Sequence, residues 1–164
     1  MSIVVFASNP QYAPAQHFVN LLVSTGSCRV RGLKRPDAVV LPPTPEMVEW
    51  SSANLTSFEV KNIFEGCEAA FMFLMPADLP QVRQLTRDFV EVASKTGVRR
   101  LAWVAPACPQ VSDLGKRLAE AEALVRSSNL ETLVLRHAPL FSDLLEQQKK
   151  ELKFRRILSM PLGK

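Results

Sequence analysis

The sequence lacks any apolar stretch able to cross a bilayer: no run of about 18 or more uncharged apolar residues occurs, and no basic segment followed by an apolar one stands at the N-terminus. A membrane span and a secretion signal are both unsupported, and a cytoplasmic address is the expectation. Cysteine is scarce. Cys28, Cys67 and Cys108 are three in number, widely spaced and without a Cys-x-x-Cys pair, so reduced, mostly buried thiols are expected rather than disulfides or a metal centre. His17 and His137 are the two histidines, and neither has a carboxylate or cysteine at ligand spacing, so no metal is expected. A concentrated basic signature is also missing. The net charge of +4 is spread among acids, apart from the run Lys149 to Arg156, which reads as a solvated helix face, so no nucleic-acid partner is expected. Tyrosine is represented by Tyr12 alone. Glycine occurs six times, and never between Ala7 and Ala13.

What is present is ample material for a core. With 164 residues of which 47% are apolar, the chain has the size of one domain, and residues 1–164 are read as such. Ile3 to Phe6 is a short β-branched and aromatic run, followed by a helical stripe of Phe18, Leu21 and Leu22, which predicts strand then helix. Thr25-Gly26 stops that helix, and Arg29 to Leu33 is a second strand ending at Lys34-Arg35-Pro36. Val39 to Leu41 is a brief apolar segment closed by Pro42, Pro43 and Pro45. Met47 to Ser51 is a short third strand, and Ser57 to Phe64 a helix turning Val60, Ile63 and Phe64 inward, with Gly66 as its stop. Ala69 to Met75 is apolar throughout, as a strand covered on both faces should be. Leu79 to Thr96 predicts a long helix capped by Gly97, Arg100 to Val104 a fifth strand, Ser112 to Ser127 a helix, Thr132 to Leu135 a sixth strand, and Leu140 to Lys153 a closing helix. Strands alternating with helices predict an α/β fold: a doubly wound, Rossmann-like parallel sheet of about six strands with helices on both faces.

In such a fold the turn after the first strand receives a dinucleotide, because glycines let the backbone approach a pyrophosphate at the helix N-terminus. Here that turn is Ala7-Ser8-Asn9-Pro10-Gln11-Tyr12-Ala13. Its proline also deletes an amide donor.

Several phrases, in order, resemble the NmrA-like and isoflavone-reductase-like branch of the atypical short-chain dehydrogenases: Cys28 to Arg35, Ser52-Ala53-Asn54-Leu55, Glu65-Gly66 before the strand to Leu74, Thr96-Gly97-Val98-Arg99-Arg100-Leu101, Ala119 to Glu122 leading to Ser127-Ser128-Asn129-Leu130, Thr132 to Arg136, and Met160-Pro161-Leu162-Gly163. The resemblance implies a Rossmann domain that binds NADP(H) or NAD(H), in reductases or in redox-sensing regulators. The family's three loop glycines fall on Ala7, Pro10 and Ala13, its adenine-side Asp on Asn54, and its catalytic Lys or His on Leu118. By family position the cofactor-facing residues are Ala7, Asn9, Gln11, Tyr12, Arg35 and Asn54, with Arg35 matching the arginine that meets a 2′-phosphate. Relatives continue past the Pro-Leu-Gly phrase with a segment that shapes the substrate cleft, which this chain is expected to lack.

A Tyr-x-x-x-Lys proton relay, usual in short-chain dehydrogenases, is excluded because Tyr12 has no lysine at that spacing. Tyr12 either fills the space of a pyrophosphate or stacks on another ligand. His137, at the end of strand six, is either an acid or base or a hydrogen-bonded structural residue. Glu120 and Glu122 diverge on their helix, so a carboxylate pair is not formed. The leading expectation is a degenerate NmrA-like domain, without hydride transfer and with no cofactor, acting as a binding, regulatory or assembly component and meeting a small molecule, a protein partner or a second copy of itself. An NAD(P)H-dependent reductase, using NADP(H) if the loop still binds it, is the alternative. A cofactor-independent isomerase or cyclase built on His137 or Tyr12 is the other.

Overall fold

A computed structural model of the chain describes residues 2–8, 10, 12–36, 45–54 and 58–138. The elements are β1 (Ser2–Ala7), α1 (Ala13–Ser24), β2 (Cys28–Lys34), β3 (Val48–Ser52), α2 (Phe58–Phe64), β4 (Ala69–Phe73), a 3₁₀ segment (Pro76–Gln81), α3 (Val82–Lys95), β5 (Arg100–Pro106), α4 (Asp113–Arg126) and β6 (Glu131–His137). The six strands form one sheet in the order β3-β2-β1-β4-β5-β6, and every neighbouring pair is parallel. The expected α/β, Rossmann-like sheet is therefore what the chain forms. The strand order reverses between β1 and β4, and open sheets of this kind place ligands outside the carboxyl ends of the strands flanking that reversal.

Strand alternation divides the core in two. On one face Val5, Leu33, Ala70, Met72, Leu101 and Trp103 pack against Val60, Phe64, Phe89, Ala121 and Val125 of α2, α3 and α4. Trp103, fully buried, also donates its indole Nε1–H to Thr86 Oγ1 at 3.2 Å, so neither polar atom is left unsatisfied. The opposite face carries Phe6, Val30, Val48, Phe73 and Val104 under Ala15 and Val19 of α1. Among the described residues α1 is the helix on that face, and Leu133 and Leu135 of β6, in register with Ala102 and Val104, remain 53% and 42% exposed there.

Two close approaches fix local geometry. Gly32 lies under the ring of Trp50, where a Cβ would come within 2.3 Å of the indole, so the β2–β3 contact needs glycine. Arg31, on the other side of β2, donates from Nη1 to the carbonyls of Ile63 and Glu65 at 3.2 and 2.7 Å, closing the last turn of α2.

The structure differs from expectation at four places. Leu21 is 55% exposed, because α1 turns Ala15 and Val19 to the sheet with Phe18 and Leu22 beside them. β4 stops at Phe73, although Leu74 N–H still reaches Val104 O at 2.9 Å. The long helix begins at Val82 rather than Leu79, since Pro80 supplies no amide and the segment before it winds as 3₁₀. Phe71 is half-buried beside Phe18, with ring centroids 5.4 Å apart. The Val39 to Leu41 segment and the closing helix Leu140 to Lys153 lie outside the described residues. No helix of the described residues is long and apolar enough to cross a membrane.

Candidate functional site

The carboxyl edge of the sheet holds two different environments that share one wall, Phe73. The first is a cavity of about 430 Å³ at the ends of β1, β2 and β4, within the range of small-molecule sites. Its apolar lining includes Leu33, Met72, Phe73 and Leu85, and its polar groups come from Ser8, Arg35, Asn54 and Asp78. Asp78 stands in the 3₁₀ segment just past β4, where its Oδ2 accepts the Met75 N–H at 2.9 Å. Its Oδ1 accepts from Arg35 Nη1 at 3.2 Å, bridging the end of β2 to the segment after β4. Burial pushes the Asp78 carboxyl above the usual carboxylate range, and the Met75 amide and Arg35 pull it back only in part. Ser8 contributes a buried hydroxyl with no hydrogen-bond partner among the described residues, a group able both to donate and to accept.

The second environment is the turn from β1 into α1. Ser8 N–H bonds Leu33 O at 3.1 Å, Pro10 is buried, and Gln16 folds back so that its Nε2 donates to Pro10 O at 2.6 Å. Tyr12 takes the extended N-cap position of α1 without a side-chain cap, and Pro14 occupies the first turn. Proline at 10 and at 14 removes two amide donors from the stretch that would embrace a phosphate. The Tyr12 ring lies edge-on to Phe73, with centroids 5.8 Å apart. His137 stacks on the same Phe73 at 5.9 Å. Its Nδ1 lies 2.7 Å from Ala138 O, a carbonyl to which it donates, and its Nε2 is buried with no hydrogen-bond partner among the described residues.

Of the residues expected by position, Ala7, Arg35 and Asn54 line the cavity, while Tyr12 and His137 meet at Phe73 on the other side. Asn9 and Gln11 lie outside the described residues. Leu118 is buried on α4 and borders a smaller cavity of about 150 Å³ with Trp103, Cys108, Glu122 and Arg136. There Glu122 accepts from Arg126 Nε at 2.8 Å and from Arg136 Nη2 at 2.6 Å. Burial raises the Glu122 carboxyl, and the hydrogen bonds of Arg136 and Arg126 outweigh it, leaving it below the usual range. Glu120 instead faces solvent near Arg83. Among the described residues no group of histidines, cysteines and carboxylates is placed to hold a metal ion.

Sequence reasoning passed over Asp78. The signal was an acid three residues past the end of an apolar strand, with proline opening the turn in Met75-Pro76-Ala77-Asp78. An acid at that point can cap the following turn and lie at the cleft.

No protein-family model matches the sequence, nor does any curated protein. Solved structures do share the architecture. A Rossmann-fold NAD(P)-binding family protein from Shigella flexneri superposes with a TM-score of 0.70 at 19% identity, covering 83% of this chain and 66% of that one. A nucleoside-diphosphate-sugar epimerase from Staphylococcus aureus gives 0.70 at 14% identity over 93% of this chain and 55% of its own. The Bordetella bronchiseptica enzyme WbmH, solved in complex with NAD+, gives 0.67 at 12% identity over 92% and 64%. The chain spans less than two thirds of the length of each. At these identities the likeness defines the class of the fold, a Rossmann-like α/β unit.

Proposed function

We propose that this chain is a Rossmann-type binding module that holds a nucleoside-containing small molecule in the cavity at the ends of β1, β2 and β4, and that it does not transfer hydride. The observation that carries this reading is the contrast along one sheet edge. The cavity beside Arg35 and Asp78 carries convergent polar groups, whereas the turn from β1 into α1 has lost amides to proline at 10 and 14 and sets Tyr12 against Phe73. No Tyr-x-x-x-Lys pair exists to move a proton. A module of this kind acts by reporting ligand occupancy to a partner rather than by turnover.

A nicotinamide-dependent reductase with an altered loop is the second reading, supported by the unpartnered Ser8 hydroxyl at the end of β1 and by the NAD+ in the Bordetella neighbour. Calorimetric titration separates them. If the phosphate turn is closed, adenosine saturates the protein and NADH or NADPH binds within about tenfold of it, since diphosphate and nicotinamide add little free energy. A cofactor that binds about a hundredfold or more tighter than adenosine supports the reductase reading instead.

A further inference from the structure

We infer that the outer edge of β6 pairs antiparallel with β6 of a second copy of this chain, joining two sheets into one across a twofold axis at Val134. Among the described residues β6 ends the sheet, with β5 on its inner side. This surface is independent of which ligand the cavity holds.

The direction of the backbone groups fixes the register. Glu131 N–H donates to Arg99 O, and His137 O accepts from Ala107 N–H, both toward β5. In a strand the N–H and C=O of one residue point to the same side, and that side alternates along the chain. β6 pairs with β5 over its whole length without a bulge, so Glu131, Leu133, Leu135 and His137 serve β5 while the backbone groups of Thr132, Val134 and Arg136 point away from it. An antiparallel copy centred on Val134 sets Val134 against Val134 and Thr132 against Arg136, and every outward N–H and C=O gains a partner; any other centre leaves some unpaired. The same register places Leu133 opposite Leu135 of the second copy, at positions where side chains approach closely. These two leucines are 53% and 42% exposed, and the pairing covers both. Charge selects the orientation: an antiparallel copy brings Glu131 to the end that carries His137, whereas a parallel copy in register would set Glu131 against Glu131. The sheet's other edge is blunted, since β3 has five residues, closely follows Pro45 and ends on Ser51-Ser52. β6 has seven residues and neither proline nor lysine, so the features that keep edge strands apart are missing where the leucines are exposed. A twofold of this kind uses one patch twice and closes on itself.

The experiment is sedimentation velocity of the full chain from low to high micromolar protein, with backbone amide exchange followed by NMR at both ends of that range. Wild type is expected to pass from one copy to two. The amides of Thr132, Val134 and Arg136 should gain protection as it does, while those of Leu133 and Leu135, bonded to β5, are protected throughout. Leu133→Lys and Leu135→Glu, made as separate variants, should each weaken self-association at least about tenfold, because each sets a charge against leucine twice in its own dimer. Mixed together, the two variants should bind each other more tightly than either binds itself, since one lysine then faces one glutamate and the other position returns to leucine on leucine. A wild type that stays monomeric throughout overturns the inference, and outward amides protected at every concentration in that monomer would show the edge covered from within the same chain. A dimer whose outward amides stay unprotected, or folded variants whose mixture recovers nothing, overturns it equally by placing the contact or the register elsewhere. The exchange pattern of wild type decides even where a variant does not fold.

Discussion

Two buried carboxylates near the sheet's carboxyl edge, Asp78 and Glu122, show how nearly equal burial can serve opposite ends. Their side chains are 10% and 9% exposed, and each faces arginine. Glu122 receives Arg126 and Arg136 through several charge-assisted hydrogen bonds between 2.6 and 2.9 Å, and its proton is held loosely as a result. Asp78 receives one arginine contact at 3.2 Å and one backbone amide, and burial wins. A carboxylate offers about four lone-pair sites. Glu122 is saturated and acts as a rivet between α4 and β6, whereas Asp78 keeps unused acceptor capacity at the wall of a cavity. The contrast locates a binding group by what its hydrogen bonding leaves unfilled.

The largest effect on the Asp78 side of the comparison is expected from removing the ring between the cavity and the turn into α1. Phe73 is 7% exposed, lines the cavity and carries Tyr12 and His137. Phe73→Ala should cost about 3 to 5 kcal/mol in urea denaturation, the usual range for a buried aromatic truncation. A loss under about 1 kcal/mol would show that the two environments do not depend on a shared ring.

Glu122→Gln comes next. It exchanges charge-assisted bonds for neutral ones while the arginines, 61% and 55% exposed, rehydrate, so about 1 to 2 kcal/mol is expected at neutral pH. The folded carboxyl lies below its unfolded value, so its stabilisation is present above roughly pH 4.3 and fades as pH falls through the folded value. The cost of the substitution should shrink in the same window. A cost unchanged between neutral and acidic pH would assign it to packing.

Asp78→Asn has the smallest expected effect on stability, within about 1 kcal/mol at neutral pH, and the opposite pH dependence. The folded Asp78 carboxyl lies above its unfolded value, so the wild-type contribution is full below about pH 3.9 and is lost as pH rises through the folded value. Relative to wild type, the variant should gain stability from acid to neutral pH. Parallel curves for the two proteins would contradict the assigned direction.

How much of this was legible in the sequence follows from what each feature depends on. All six strands were readable because apolar β-branched runs between glycine and proline stops are local signals, and the parallel sheet followed from their alternation with helices. The inward faces of α2 and α3 were readable for the same reason. The misjudged residues depend on neighbours distant in sequence: Leu21 points outward because α1 rolls toward Ala15 and Val19, and Phe71 is half-buried because a single described helix covers its face. Within the site, the loss of amide donors from the turn was legible in Pro10 and Pro14. Pairings that span dozens of residues, Arg35 with Asp78, or fourteen, Arg136 with Glu122, leave no periodic trace.

The end of β6 places Arg136 and His137 side by side, and strand alternation sends one to Glu122 and the other to Phe73. During synthesis the chain emerges N-terminus first, at about 5 to 20 residues per second. Glu122 therefore leaves the ribosome fourteen residues ahead of Arg136, holding Arg126 alone, and Phe73 emerges far earlier than the imidazole that will cover it. Two adjacent residues, among the last of the sheet to be made, thus tie β6 to α4 on one face and to Phe73 on the other.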